Sequence, residues 1–360
     1  MEIIFLAPSI KTGGGNRVFI ELANELCNRH TVSVVYPKNS IERNTFISNK
    51  KVKYIEIGSY SKNKLRKIWN LLCCIYFINK KASAAKIVIS DPIFSLLTPL
   101  FKNQKNIYRF IQADDYRIYD DGEILGRGIL LKLYKCFCLK SYQYKVAYIF
   151  NSKYVYEQYC MDAKRTDVPY KLVYPAINHS IFNNTRQNQH SGVSICLVAR
   201  KHPLKGLVTF LNVYKKLPIE VKSKISHVRL ISHDDLSQFD TTGMDIVKPT
   251  CDNDIANVYQ MSDIFISTSW REGFGLPPLE AMSCGCAVIT SKSGGVNEFA
   301  KENENCLMFN PKDEQELTDK LIKLLDNVAL RNELIVRGIN SSIKFSWEKS
   351  ANQLLSILSN

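Results

Sequence analysis

Two glutamates, Glu272 and Glu280, stand eight residues apart where their carboxylates could bind hydroxyl groups. They lie in the run REGFGLPPLEAM, which follows a predicted strand and leads into a predicted helix. One carboxylate therefore falls in the loop and the other about one turn into the helix, so both can face one cleft. A carboxylate there can accept paired hydrogen bonds from vicinal hydroxyls, as in a ribose or a hexose. A plain strand–loop–helix turn with a capping glutamate has the same spacing, so the motif needs support from elsewhere.

The loop between these glutamates is suited to the close approach of a ligand. Gly273 and Gly275 let the backbone come near a ligand and expose N–H groups. Pro277 and Pro278 can occupy the first turn of a helix, where a missing donor costs nothing. The segment therefore predicts a site lined by backbone at the start of a helix.

A second candidate segment, VARKHPLKG, carries two cations at the end of a predicted strand. Arg200 and Lys205 flank a turn that opens a helix. Two cations beside a helix N-terminus form a site for a diphosphate, and they could neutralise a leaving nucleoside diphosphate without a metal. Lysines after strands are common on protein surfaces, so this signal is weak by itself.

Alternating strands and helices must position these segments. The predicted strands are Glu2 to Pro8, Thr31 to Tyr36, Ile87 to Ser90, Ile107 to Gln112, Tyr148 to Phe150, Val193 to Val198, His227 to Ser232, Ile264 to Ser267 and Ala287 to Thr290. The predicted helices between and after them are Asn16 to Arg29, Leu204 to Lys216, Ile255 to Met261, Pro278 to Ser283 and Glu314 to Leu325. This order predicts an α/β fold of two doubly wound, Rossmann-like domains, residues 1–185 and 192–345, whose parallel sheets face each other across a cleft. The polar stretch Asn183 to Gly192 is the predicted linker.

Charge is divided unevenly along the 360 residues. Residues 1–185 hold 28 Lys and Arg against 14 Asp and Glu, whereas residues 186–360 hold 20 of each, so the net charge of +14 lies in the first half. Such asymmetry predicts an anionic partner, and a solvated lysine-rich surface is the alternative. Within that half, Lys62 to Lys81 predicts a basic amphipathic helix with an aromatic face, which could lie on an anionic membrane or pack on the core.

The chain shows no export signal and no obvious metal motif. Met1 and Glu2 lead straight into an apolar strand, and the longest apolar stretch elsewhere, Leu71 to Ile78, is far short of the ~20 residues that span a bilayer. The eleven cysteines include no CxxC pair, so we expect reduced thiols. We therefore expect a cytoplasmic protein, with peripheral association to the inner face of a membrane.

Taken together, these segments resemble glycosyltransferase family 4, whose members have the GT-B fold. The resemblance covers nearly the whole chain and includes Gly13-Gly14 with Arg17, Asn151-Ser152, Pro175, Arg200 with Lys205-Gly206, the Glu272 to Glu280 spacing, Gly294-Gly295 with Glu298, and Phe345-Ser346-Trp347. The spacing of the two glutamates in this context is specific, whereas the glycine pair alone is not. In this fold a last helix, here residues 346–360, crosses back to the first domain.

The resemblance implies a retaining, metal-independent glycosyltransferase that needs no cofactor. It would move a sugar from a nucleoside diphosphate donor to a saccharide acceptor. In its terms Arg200 and Lys205 bind the donor diphosphate, and Glu280 binds the ribose. Glu272, with the backbone of Phe274, Gly275 and Leu276, holds the transferred sugar. Gly294 and Gly295 complete the donor site, and Gly13 and Gly14 let the acceptor domain close on the donor.

One departure from the family concerns the acceptor side. Many relatives carry a histidine after a strand of the first domain, whereas this chain has Gln112, which cannot act as a base. Asp114 or Asp115 could orient an acceptor hydroxyl or merely cap a turn. Asp252-Asn253-Asp254 matches a metal-binding pattern of another glycosyltransferase fold, but it precedes a helix, and we interpret Asp254 as a helix N-cap.

The sequence fits other functions less well. The loop Lys11 to Arg17 lacks a full GxGxxG, and no acidic residue ends the strand Thr31 to Tyr36, which disfavours a nicotinamide dehydrogenase. A sugar-nucleotide epimerase of the same fold and a non-catalytic sugar-binding module stay open as alternatives. The basic first half favours a lipid-linked acceptor on an anionic inner-membrane surface, as in bacterial O-antigen, capsule or exopolysaccharide synthesis, and we expect no nucleic-acid partner.

Overall fold

The structure is a computed structural model that describes residues 1–11, 13–39, 48–81, 84–90, 93–113, 128–185 and 192–359. The chain divides into two compact units. The first contains Met1–Pro175 together with Trp347–Asn360, and the second contains Ala176–Ser346.

The first unit is a six-stranded parallel sheet covered by helices. Its strands are β1 (Glu2–Leu6), β2 (Thr31–Pro37), β3 (Lys53–Ile57), β4 (Lys86–Ser90), β5 (Ile107–Ile111) and β6 (Ala147–Phe150). Its helices are α1 (Gly14–Leu26), α2 (Lys64–Lys81), α3 (Ile93–Leu96), α4 (Ile129–Ser141), α5 (Lys153–Ala163) and, from the end of the chain, α12 (Trp347–Ser359). The strand order is β3-β2-β1-β4-β5-β6, and every neighbouring pair is parallel.

The second unit repeats this architecture. Its strands are β7 (Val193–Val198), β8 (Ile225–Ile231), β9 (Asp245–Val247), β10 (Ile264–Ser267), β11 (Ala287–Ser291) and β12 (Leu307–Phe309). Its helices are α6 (Leu207–Lys216), α7 (Ile219–Lys222), α8 (Asp252–Gln260), α9 (Leu276–Ser283), α10 (Glu314–Asp326) and α11 (Val328–Ser342). The order is β12-β11-β10-β7-β8-β9, again all parallel. The predicted class, an α/β fold with two Rossmann-like parallel sheets, is confirmed.

The strands form because they are short apolar runs that can be buried on both faces, as parallel sheets with helices on each side require. In β11 all five residues are buried, and in β10 the first three are. Helix α6 carries Leu207, Phe210 and Val213 on one stripe, and that stripe packs into the core of the second unit. These two signals, continuous apolar runs for the strands and an apolar stripe for the helix, allowed the elements to be predicted.

The two faces of the first sheet carry different helices. On one face, Phe19 of α1 packs against the rings of Phe5 and Phe110. On the opposite face, Ile4 and Ile87 belong to a core cluster that includes Cys74, Ile75 and Ile78 of α2. Helix α4 lies on this second face as well, because the guanidinium of Arg109, in the register of Ile107 and Ile111, donates to the carbonyl of Ser141 at 2.7 Å.

The unit boundary lies at Pro175 and differs from the predicted domain end at residue 185. Residues 176–185 pack with the second unit, since Ser283 donates to the Phe182 carbonyl at 2.7 Å and Gln260 to the Asn183 carbonyl at 2.8 Å. The last helix, α12, belongs to the first unit, where Ser350 donates to the Tyr174 carbonyl at 2.6 Å. Hydrogen bonds between residues far apart in sequence set this boundary, and a change in composition does not mark it.

The cysteines and the apolar content of the helices complete the description of the fold. All eleven cysteines are free thiols. Burial raises the pKa of the Cys74 thiol and of the Cys306 thiol, each to about 12. In the parts of the chain that the structure describes, no helix combines the length and the apolar composition that crossing a membrane requires.

We predict that Phe210→Ala lowers the free energy of unfolding of the second unit by about 3–5 kcal/mol, because it leaves a cavity in the core. Urea unfolding followed by circular dichroism measures this loss. Val208 lies on the same helix but is exposed, so Val208→Ala should change stability by no more than about 0.5 kcal/mol. Equal losses in the two variants would contradict the assignment of the core face of α6.

Candidate functional site

The candidate site lies at the carboxyl ends of the strands of the second sheet. From β7 the chain continues to β8 on one side, whereas β10 and β11 lie on the other side. Reversal of the strand order at β7 makes this the point where an open α/β sheet binds ligands. The loops that follow β7, β10 and β11 lie side by side there, and together with helix α9 they carry the predicted donor-site residues of the second unit.

The loop after β7 is held against the loop after β10 by backbone contacts. Trp270 N–H donates to the Leu204 carbonyl at 2.8 Å, and the Thr268 hydroxyl donates to the Lys205 carbonyl at 3.1 Å. Gly206 has a φ of 65°, and a Cβ there would lie 2.0 Å from the Thr268 carbonyl oxygen. Only glycine allows the two loops this close, and the approach fixes the height of Lys205 above the sheet.

A second close approach joins the loop after β10 to the loop after β11. Glu272 N–H donates to the Ser293 carbonyl at 2.7 Å, and Gly295 N–H donates to the Glu272 carbonyl at 2.8 Å. A Cβ on Gly295 would lie 2.0 Å from the carbonyl oxygen of Gly273. The glycine pair Gly294-Gly295 therefore serves to hold the backbone of Glu272 in place.

These contacts bring two of the predicted site residues together. Lys205 Nζ lies 2.7 Å from Glu272 Oε1, although 67 residues separate them in sequence. Both side chains are partly exposed, and they form an ion pair between the loops after β7 and β10. A cation and a carboxylate side by side can receive the phosphate and the hydroxyls of one ligand.

The other predicted cation, Arg200, has a partner that sequence reasoning missed. Asp234, in the loop after β8, accepts from Arg200 Nε and from the Lys201 N–H, both at 2.9 Å. Burial alone would raise the pKa of Asp234, but the Lys201 N–H and the Arg200 guanidinium outweigh burial and lower it. The pKa of neighbouring His233 is lowered by burial and by Arg200. Applying the carboxyl-end rule to every strand would have indicated Asp234, since it lies in the loop that begins after Ile231, the last residue of β8.

Glu280 differs from Glu272 in its surroundings. Its side chain is buried in α9, and the hydroxyl of Tyr259 lies 3.4 Å from its Oε2. Burial first, and the Glu280 carboxylate next, raise the pKa of Tyr259 well above its ordinary value, so its hydroxyl keeps the proton that points to Glu280. Tyr259 is therefore a candidate for orienting this carboxylate, and a lone tyrosine on α8 gave no signal in the sequence.

The start of α9 is the backbone part of the site. Gly275 precedes the helix with a φ of 93°, and a Cβ there would lie 2.5 Å from Cγ1 of Val296. Pro277 and Pro278 occupy the first turn and remove two of its donors, so the amides of Gly275 and Leu276 stand at this helix end. The buried ring of Phe274 packs against Phe299 and Phe345, and these contacts fix the loop.

In the first unit, the predicted glycine loop and Gln112 come together. Gln112 Nε2 donates to the Gly15 carbonyl at 3.2 Å, and Asn151 Nδ2 donates to the Gln112 carbonyl at 2.7 Å. A Cβ on Gly13 or on Gly14 would meet nothing within 4 Å. Contacts with the described chain therefore do not require glycine at these two positions. The role that the family resemblance implies for Gly13 and Gly14, which is to let the acceptor domain close on the donor, stays a prediction.

Two sets of acidic residues complete the inventory of predicted positions. Asp114 and Asp115 lie outside the described residues. The Asp254 carboxylate accepts from the N–H and hydroxyl of Thr250, both at 2.7 Å, and from the Cys251 N–H. The helix begins at Asp252 with Cys251 as its N-cap, so our placement of Asp254 at the N-cap was wrong by three residues. Among the residues described, no cluster of three or more His, Cys, Asp or Glu is placed to hold a metal ion.

The architecture matches solved glycosyltransferase structures over the full chain. A sucrose-phosphate synthase from Thermosynechococcus elongatus superposes with a TM-score of 0.81 at 18% identity, covering 99% of this chain and 98% of that one. HepE of Anabaena, solved in complex with UDP, gives a TM-score of 0.73 at 16% identity and covers 100% of both chains. At these identities the likeness shows the fold, which is the GT-B class of two Rossmann-like domains.

Sequence comparison adds the family. Residues 244–341 match the model of the family described as glycosyl transferases group 1. The matched segment lies within the second unit, and the match confirms the resemblance seen in the motifs.

Curated relatives match the chain over part of its length. The serotype-specific mannosyltransferase WbdA of Escherichia coli is 31% identical over 174 residues, which are 44% of this chain and 20% of that protein. The O-antigen chain mannosyltransferase B of Escherichia coli is 28% identical over 167 residues, covering 44% of this chain and 43% of that protein. The matched part therefore spans less than half of either relative.

We predict that Gly295→Ala destabilises the second unit by about 1–3 kcal/mol, because the new Cβ meets backbone atoms of the neighbouring loop that cannot move aside. Gly128→Ala is the matched control, since a Cβ there meets nothing within 4 Å. Urea unfolding of both variants checks this. Wild-type stability in Gly295→Ala would mean that the two loops are not held by this contact.

Proposed function

We propose that the protein is a retaining glycosyltransferase that moves a sugar from a nucleoside diphosphate donor to a saccharide acceptor. The observation that carries the proposal is the pairing of Lys205 with Glu272 at 2.7 Å, at the carboxyl ends of β7 and β10. A cation for the leaving diphosphate and a carboxylate for the sugar hydroxyls stand next to each other. The group 1 glycosyl transferase domain supports the same activity.

The donor diphosphate would meet Arg200 and Lys205 on the loop between β7 and α6. These cations balance the charge that builds up on the diphosphate as the sugar leaves, a role that a divalent metal performs in other transferases. Asp234 fixes the guanidinium of Arg200 from the far side through Nε. The remaining guanidinium donors are then available in a set direction for phosphate oxygens.

The two glutamates would bind different parts of the donor. Glu272, partly exposed beside Lys205, is placed to accept hydrogen bonds from the hydroxyls of the transferred sugar. Glu280, buried in α9 beside Tyr259, is placed to accept from the ribose hydroxyls. The amides at the start of α9 supply partial positive charge for the same ligand. Gly294 and Gly295 act indirectly, because they hold the Glu272 backbone.

Retention of anomeric configuration is part of the proposal and follows the family resemblance. A front-face route would let the leaving phosphate accept the proton of the acceptor hydroxyl, so that no protein base is required. Gln112, which cannot accept a proton as a base, is compatible with this route at the acceptor side. Its amide is held by the Gly15 carbonyl, and it would bind the acceptor as a hydrogen-bonding group.

The setting we propose is the cytoplasmic face of a bacterial inner membrane, with a lipid-linked intermediate of a surface polysaccharide as acceptor. Two relatives support it by name: one is a serotype-specific mannosyltransferase and the other an O-antigen chain mannosyltransferase. The charge supports it as well. The first unit holds 29 Lys and Arg against 15 Asp and Glu, a net +14, whereas the second holds 19 of each. An anionic surface would attract the first unit selectively.

We predict that one nucleoside diphosphate among UDP, GDP, dTDP and CDP raises the melting temperature, and that EDTA leaves this shift unchanged. Ligand binding stabilises the folded state by mass action, and Arg200 and Lys205 supply the positive charge in place of a metal. NAD serves as the control ligand. A shift that EDTA erases would contradict the metal-independent donor site, and no shift with any diphosphate would contradict the donor site as a whole.

We predict that Lys205→Ala and Glu272→Ala each abolish sugar transfer while the fold survives. Lys205→Ala should also lose the shift with the nucleoside diphosphate. Glu272→Ala should keep that shift but lose the additional stabilisation by the nucleotide sugar, because its partner is the sugar. Nucleoside diphosphate release from the nucleotide sugar, in the presence of membrane lipid extract as acceptor, measures transfer.

The matched controls for this pair are Lys216→Ala and Glu314→Ala. They remove an exposed ion pair of the same type in the same unit, with Lys216 Nζ at 2.6 Å from Glu314. Both controls should transfer sugar at the wild-type rate. Near-normal transfer in Lys205→Ala and Glu272→Ala would overturn the site assignment.

A further inference from the structure

We infer that the outer sides of α2 and α4 form one membrane-docking surface for anionic lipid headgroups, with apolar side chains that enter the headgroup region. The inference deepens the proposed function, because it names the surface by which the first unit reaches a lipid-linked acceptor. It concerns the first unit alone. Its physical basis is an apolar stripe left exposed on two helices that are already packed on the sheet through their other sides.

Helix α2 has two apolar sides. Its inner side contributes Cys74, Ile75 and Ile78 to the core. Its outer side exposes large apolar residues at helical spacing, namely Leu65, Ile68, Trp69 and Tyr76. Leu65 is 75% exposed and Trp69 56%. The two alternatives left open by the sequence, a core-facing helix and a membrane-facing helix, are therefore compatible, since each describes one side of α2.

Helix α4 repeats this arrangement. Cys138 and Ser141 are buried on its inner side, whereas its outer side exposes Ile129, Leu130, Leu133 and Phe137. Leu130 is 77% exposed and Phe137 59%. The spacing 129, 133, 137 places three of these side chains on one line along the helix.

The two stripes face the same way because both helices cover the same face of the first sheet. Between them runs the segment of α3 and residues 97–102. Asn79 of α2 donates to the Leu100 carbonyl at 2.9 Å and accepts from the Lys102 N–H at 2.9 Å, while α3 packs against α4. Leu100 and Ile93 of this segment are exposed too. Exposed apolar side chains therefore lie on α2, on the segment between the helices and on α4, all on one face of the first sheet.

Charge indicates which partner this surface fits. The 31 residues of α2 and α4 contain eight Lys and Arg and no Asp or Glu. A second copy of the chain would bring like charges face to face, which disfavours a symmetric dimer through this surface. Anionic headgroups complement the cations, and the exposed Trp69 and Tyr76 are the residue types that prefer the membrane interface.

Exposed apolar residues on the second unit show the contrast. Val208, Ile219, Val328 and Val336 are each more than half exposed, but they belong to three different parts of the chain: α6, α7 and α11. Scattered single apolar residues are normal on a protein surface, whereas a contiguous group is typical of an interaction site. These four residues provide a matched control for the first unit.

The test is flotation of the full chain with vesicles of phosphatidylcholine, with and without phosphatidylglycerol, in the absence of any nucleotide. We expect binding to the vesicles that contain phosphatidylglycerol and much weaker binding to the neutral ones. The combined variant Leu65→Ser, Trp69→Ser, Leu133→Ser and Phe137→Ser should lose at least about tenfold in affinity. Neutralising Lys64, Arg66 and Lys67 to Gln should lose up to roughly 100-fold, at about a factor of five for each cation near the surface.

The control variant Val208→Ser, Ile219→Ser, Val328→Ser and Val336→Ser should bind like the wild type. If the combined α2 and α4 variant floated with vesicles like the wild type, the proposal would be overturned. It would also be overturned if sedimentation showed that the wild type is a dimer and that only this variant is a monomer. The melting shift with nucleoside diphosphate should be the same in all these variants. Vesicle binding without a nucleotide shift would count against the transferase only, and a nucleotide shift without vesicle binding would count against the docking surface only.

Discussion

The contact on which the candidate site depends is backbone against backbone, at two places where no Cβ fits. Gly206 lies against the Thr268 carbonyl and Gly295 against the Gly273 carbonyl. A Cβ on either glycine would lie 2.0 Å from the neighbouring carbonyl oxygen. These approaches bring the loops after three adjacent strands into one layer. Lys205 and Glu272 can pair at 2.7 Å because their backbones are fixed first. The backbone contacts at the glycines thus determine where the charged side chains lie, and the ion pair does not determine the loop conformation.

With positions fixed in this way, the acidic residues determine how each cation is presented. Glu272 holds Lys205, and Asp234 holds Arg200 by one edge of its guanidinium. Such partly exposed pairs contribute little to folding stability, so their main effect is on direction. A pre-oriented cation loses less side-chain entropy when phosphate binds than a free one does. Under the proposed function, Asp234 and Tyr259 would act on the donor through Arg200 and Glu280 without touching it.

Much of the fold followed from the sequence because the signals were local. Buried strands such as β7, β10 and β11 are apolar runs, and α6 has an apolar stripe with helical spacing. The elements that were missed lack such runs. Strands β9 and β12 have three residues each, and β3, at the sheet edge, has the charged residues Lys53 and Glu56 among its five. Helices α4 and α5 gave no clear apolar stripe, because α4 exposes leucines where a soluble helix would place polar groups.

The candidate site divided in the same way between local and tertiary information. The Glu272 to Glu280 spacing and the cations at 200 and 205 could be found from short segments, since strand ends and glycine turns mark them. The partners could not. Asp234 is 34 residues from Arg200, and the two pair because parallel strands bring the loops after β7 and β8 to one edge of the sheet. Tyr259 is 21 residues from Glu280, and the two meet because helix α8 packs against helix α9. The exposed stripe of α2 is a further case, since its composition was visible in the sequence but its two-sided burial was not. A helix with two apolar sides, such as α2, packs only one of them into the core. The cations flanking the other side then determine its partner, and in this chain all of the net charge lies in the unit that carries that helix.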